Sequence, residues 1–226
     1  MQTDAIVMHD EDDDQENPAG DEGNSDEKAA AEAAVMPVVE LDISGDIDSP
    51  VPMPTAGERC EGCGLHITKL WQGARAGRQQ SHSVCTLCYL TGHLDSPTAA
   101  HGRLAFLPGL STADALLLQR RALLAILGGD KAQAKQGERV WKWMDRHSRE
   151  VEVAWGTARA GEFAQAMKRL PPFKRSQLQA QLTGCVLMLP ADMFDDLTLL
   201  LPSHKTVQSV LSSRSWATYT RSDMYV

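Results

Sequence analysis

Apolar positions divide the chain into three stretches of different texture. From Met1 to about Thr55 they are scattered without period among Asp, Glu, Ala, Gly and Pro, and no aromatic residue occurs. A segment of that composition cannot bury enough apolar surface to offset its ordering entropy, so residues 1–55 are expected to be a disordered tail. Its one apolar cluster, Val35 to Leu41 with Ile43 and Ile47 beyond, reads as an unattached linker or as a short docking segment. From about Gly57 to His101 the chain is rich in Gly, Ser, Thr and His and shows little helical period, so its order must come from elsewhere.

Beyond that point the pattern turns helical. Leu104 to Leu107 reads as a short extended piece ending at Pro108, and Ser111 with Asp114 makes a capping-box signature. The helix it starts should run to about Leu127 and close at Gly128 and Gly129. Leu and Ala cover well over half of its circumference, which predicts a central element buried on two sides. A second helix is predicted from about Glu138 to Trp155, because Val140, Met144, His147, Val151 and Trp155 form one stripe on a 3.6-residue period. Thr157 can cap a third helix ending near Leu170, before Pro171 and Pro172. Helices are also predicted over Ser176 to Leu189 and Ala191 to Leu201, and Ser203 can cap a last one with Val207, Val210, Leu211 and Trp216 on its apolar face. The expected fold is mainly α, with a small metal-binding head at residues 56–103 and a helical domain at residues 104–226 packed on it.

Charge sharpens this division. Residues 1–50 hold 16 of the 30 acidic residues and one basic residue, Lys28, so a formal net charge of −8 averages a strongly acidic tail and a basic body. The most apolar stretch, Cys185 to Leu201, is interrupted by Pro190, Asp192, Asp195 and Asp196 and falls short of the roughly 20 apolar residues that cross a bilayer. The amino terminus lacks the basic-then-apolar order of a secretory signal, so the cytoplasm is the expected location.

The strongest chemical signal is Cys60-Glu-Gly-Cys63, then 21 residues, then Cys85-Thr-Leu-Cys88. Each pair places two sulfurs on one side of a tight turn, and two such turns complete a tetrahedron around one ion. In a reducing compartment that spacing favours metal over disulfides. Gly62 and Gly64 are placed to ease the first turn. Cys60, Cys63, Cys85 and Cys88 are therefore expected to bind one Zn2+, and four thiolates leave no open position for water, so the ion is structural and the protein is not an enzyme.

His66, His82, His93 and His101 raise a rival, since HNH-type nucleases add a histidine-held catalytic ion to a comparable zinc site. No Asn or Asp lies between Cys63 and Cys85, so partners that such chemistry requires are missing, and the histidines are expected to support the site or lie at the surface. Cys185, in an apolar run, reads as a buried core residue. Basic clusters at Arg75 and Arg78, at Arg120 and Arg121, and across Lys168, Arg169, Lys174 and Arg175 offer a surface to nucleic acid, but no aromatic residues are interleaved with them. Trp141 and Trp143 lie roughly 160° apart on one helix, so a single core cannot bury both along with Trp155. An exposed tryptophan would anchor a partner segment.

The order Cys60-Glu-Gly-Cys-Gly64, Cys85-Thr-Leu-Cys88, then Leu104-Ala-Phe-Leu-Pro-Gly-Leu-Ser-Thr-Ala-Asp114 leading into a Leu-rich helix resembles the DotN/IcmJ family of type IVB secretion and conjugation systems. Val140-Trp-Lys-Trp-Met-Asp-Arg-His-Ser-Arg149, Phe163-Ala-Gln-Ala-Met167 and Leu200-Leu-Pro-Ser-His204 continue the likeness over about residues 57–217. Membership implies a degenerate HNH-like zinc fold without nuclease activity, serving as a cytoplasmic adaptor of the type IV coupling complex. The expected partners are other coupling-complex subunits and a tail segment of the coupling ATPase, which would bring the chain to the inner membrane without insertion. That segment would lie in a groove beside the Leu116 to Leu127 helix or on the tryptophans, with Leu116, Trp141, Trp143 and Trp155 as candidate contacts. The alternative is a nucleic-acid-binding protein derived from an HNH endonuclease and acting in plasmid DNA transfer.

Overall fold

Ser111 accepts a hydrogen bond from the Asp114 amide and starts a helix that packs on both sides, around which the other elements assemble. The computed structural model describes residues 51–73 and 82–212, and the fold is mainly α. The acidic segment to residue 50, the Val35 to Leu41 cluster, Arg75, Arg78 and Trp216 lie outside the described residues. Helices are α1 (Thr86–Thr91), α2 (Pro97–Ala100), α3 (Thr112–Gly128), α4 (Lys131–Arg146), α5 (Ser148–Trp155), α6 (Ala160–Lys168), α7 (Pro172–Gln179) and α8 (Val207–Val210). Strands β1 (Pro54–Thr55), β2 (Leu70–Gly73) and β3 (His82–Val84) make an antiparallel sheet in the order β1-β2-β3, and β4 (Arg103–Phe106) pairs antiparallel with β5 (Cys185–Met188). Pro54 and Thr55, at the expected end of the tail, pair with Trp71 and Leu70.

Helix α3 is buried from Leu118 through Ala125. Leu116, Leu123 and Leu124 join one core that also contains the four cysteines and Leu187, while Ala115 and Leu118 join a second with Met144, Val186 and Met188. No helix among the described residues is long and apolar enough to cross a membrane.

Four predicted elements differ from expectation. The helix expected from Glu138 begins earlier, because Asp130 and Gln133 form a capping box, and it breaks at His147. The His147 carbonyl accepts the Phe106 amide of β4 instead of continuing the helical ladder. The helix expected over Ser176 to Leu189 stops at Gln179 and the chain turns at Gly184, whose φ of 84° is left-handed. Cys185–Met188 then runs as a fully buried strand, registering Phe106 with Cys185 and Arg103 with Met188. Ala191 to Leu201 holds two short 3-10 turns in place of a helix, the second capped by Asp196, and the last short helix is capped by Thr206 and not by Ser203.

Both outer edges of the β4–β5 ribbon meet hydrogen-bonding partners. Leu104 and Phe106 donate to the carbonyls of Ala158 and His147. On the other side the buried Gln119 amide acts as a peptide bond would, donating to the Leu187 carbonyl at 2.7 Å and accepting the Leu189 amide at 2.6 Å. Trp141 Nε1 donates to the Leu189 carbonyl at 2.9 Å.

Candidate metal centre

The first cysteine pair sits on a tight turn. Gly64 donates to the Cys60 carbonyl at 2.9 Å and takes a left-handed φ of 73°, so of the two glycines expected to ease this turn it is Gly64 that reverses the backbone. The Cys63 amide points back at Cys60 Sγ, 3.5 Å away. The second pair rides on α1, with Cys85 at the N-cap and Cys88 in the first turn, where the amide ends of the helix favour negative charge. The Cys85 amide also points at Cys60 Sγ, at 3.2 Å.

All four sulfurs are buried and lie within 4.8 Å of one another, and Cys63 Sγ is 3.8 Å from Cys85 Sγ. A tetrahedral ion with metal–sulfur bonds of about 2.3 Å needs sulfur–sulfur edges of about 3.8 Å, so the four residues fit one ion with little adjustment. Left to one another, the thiols ionise unequally. Hydrogen bonds with Cys60, Cys63 and Cys88, reinforced by the Arg120 charge, hold Cys85 well below the usual thiol range. Hydrogen bonds with Cys60, Cys63 and Cys85 push Cys88 well above it.

Arg120, from one of the basic pairs that in sequence offer a surface to nucleic acid, belongs to this centre. It is 3% exposed, donates from Nη2 to Cys85 Sγ at 2.9 Å and from Nη1 to the Leu200 carbonyl at 2.8 Å. Burial works against its charge, but the neighbouring sulfurs, Cys85 first, outweigh that and keep it protonated. A buried guanidinium needs an opposite charge nearby, and among the described residues the sulfur cluster supplies it. Arg121, equally buried, donates to the carbonyls of Val210 and Ser212 and ties down the end of α8. No spacing rule points to these contacts; the available signal was a pair of cations in the middle of the most apolar helix.

The histidines have separate employment. His82 pairs with Glu61 at 3.0 Å, His93 stacks on Tyr89 with ring centroids 4.1 Å apart, and His66 and His101 are exposed. Burial tends to raise the Glu61 carboxyl, but hydrogen bonds from the Ser83 amide and His82 outweigh it and lower the group. Cys185 is buried apart from the cluster, its thiol pushed up to about 11 by burial.

The residues expected to meet a partner are scattered. Leu116 is 2% exposed and committed to the core, so it offers a partner nothing. Trp141 is half-buried through its bond to Leu189, and Trp155 is half-buried edge-on against Phe163. Trp143 is the exposed member of the set, at 36%. No family model and no curated protein matches the chain.

Proposed function

We propose that this chain is a non-catalytic adaptor folded around one structural Zn2+, acting beside a type IV coupling ATPase as the resemblance to DotN/IcmJ subunits implies. The observation that carries the metal half of the reading is the sealed set of four buried sulfurs facing a buried guanidinium. Four thiolates around a divalent ion leave a net charge of about −2, which Arg120 offsets in part, and soft thiolates in this geometry suit zinc. Zinc in a closed site supplies folding energy and no activated water.

The adaptor half rests on the family likeness and on apolar side chains left at the surface. Val153 on α5 is 80% exposed and Phe173 on α7 is 62% exposed, the large apolar side chains most open to a partner on the described helices. Elemental analysis of freshly purified protein should give one zinc per chain, and paired or metal-free thiols would remove the first half. Calorimetric titration with the synthetic cytoplasmic tail of a coupling ATPase from the same cell should show binding that Val153→Asp and Phe173→Asp weaken. No heat with any such tail would remove the second half and leave the metal centre standing.

A further inference from the structure

Helix α4 presents a feature that neither the metal centre nor the adaptor reading uses. Lys131, Lys135, Arg139, Lys142 and Arg146 follow one another at three- or four-residue steps, and all five are exposed. At about 100° per residue they fall within an arc of about 80°, and a rise of 1.5 Å per residue strings them along about 22 Å of one face. The opposite face, with Gly137 and Met144 buried, is the one that packs inward. The acidic residues of the helix sit at the margin of the stripe, Glu138 3.4 Å from Lys142 and Asp145 3.6 Å from Arg103 on β4. Like charges three and four residues apart weaken a helix, and only the Glu138–Lys142 pair and the place of Arg146 in the last turn offset that, so the fold gains little from this ladder.

Trp143 lies on the same side of the helix, about 40° beyond Arg139. It is 36% exposed and held edge-on by His147, with centroids 5.4 Å apart at 77°. An open row of cations flanked by a fixed aromatic face is the combination that binds single strands, where phosphates follow the charges and unstacked bases lie on rings. An acidic peptide would satisfy the charges and leave the ring unexplained, and a duplex keeps its base faces out of reach.

We propose that this face of α4 binds single-stranded nucleic acid, with the five cations along the phosphates and Trp143 stacking a base. The surface escapes a search for basic clusters because no two of its cations are adjacent in sequence.

The test uses the full chain and a fluorescein-labelled 15-nucleotide oligo(dT), read by fluorescence anisotropy over a series of KCl concentrations. Five phosphate contacts to a single strand predict a slope of log K against log salt of about −3.5. Reversing Lys135, Arg139 and Arg146 to Glu together should weaken binding more than about tenfold. Trp143→Ala should weaken it about tenfold while Trp143→Phe restores most of it, and neither should change the binding of poly-L-glutamate. All of these positions are exposed, and unchanged metal content and helical circular dichroism verify the fold. The proposal is overturned if charge reversal leaves oligo(dT) affinity unchanged. It is equally overturned if Trp143→Ala is neutral, or if a blunt duplex or poly-L-glutamate binds as tightly as oligo(dT).

Discussion

Arg120 carries a positive charge that water cannot reach. Its substitution by Met should cost about 3–5 kcal/mol, since it leaves the Leu200 carbonyl unpaired and the sulfur cluster uncompensated. Urea denaturation measures that loss, and faster zinc release to a chromophoric chelator should accompany it. Arg120→Lys should recover only part, because a single ammonium cannot reproduce a planar fork aimed at two acceptors. Cys185 gives a pH signature of its own. Its folded thiol titrates at about 11 against an ordinary 9.0, so its neutral form is favoured by folding. The stability it contributes is full below pH 9.0 and lost as pH rises toward about 11. Cys185→Ala should flatten the fall of the urea midpoint over that window. At this scale the four cysteines were legible from spacing alone, because two residues of separation fix where a turn puts its sulfurs. Arg120 was not, since its role depends on Cys85, 35 positions away, and nothing local records that pairing.

Among elements, α3 and β4 could be read from local signals: the Ser111 cap, the glycines that end the helix, and Pro108 after the strand. Strand β5 could not. Cys185–Met188 is buried at every position, and a short, continuously apolar run carries no period to separate strand from helix. Its identity is set from outside, by β4 on one side and the Gln119 amide on the other. Gln119→Leu should keep the shape of the site but strand two buried backbone groups, destabilising the protein by about 2–4 kcal/mol in thermal or urea unfolding. A loss below about 1 kcal/mol would mean that water or a neighbour replaces the amide. The break at His147 was hidden for a related reason: the apolar stripe continues through it, and the bond from Phe106 to its carbonyl comes from a distant strand.

At the level of the whole molecule, the cysteine turns and the helices that follow them share their packing. Cys60, Cys85, Leu123, Leu187 and Leu200 share one core, and the late segment returns to the first loop through Ser203 to His66 and Lys69 to Asp196. The zinc proposed for this centre would contribute about 10 kcal/mol or more, comparable to the total stability of a domain this size. Stripping the metal at neutral pH should therefore melt the helices together with the cysteine turns, in one transition by circular dichroism and tryptophan fluorescence. Helical signal that survives chelation would show that residues 104–212 fold without the centre. The β4–β5 ribbon bears on how the molecule meets others. A two-stranded ribbon is ordinarily an open template, ready to recruit a strand from a neighbour and grow. Ala158 and His147 on one edge and Gln119 on the other already occupy rungs of this ribbon, and Trp141 holds the Leu189 carbonyl just beyond β5. Neither another copy nor an extended peptide can zip onto this ribbon without first evicting them, which protects the chain from edgewise polymerisation and leaves side chains as its means of recognition there.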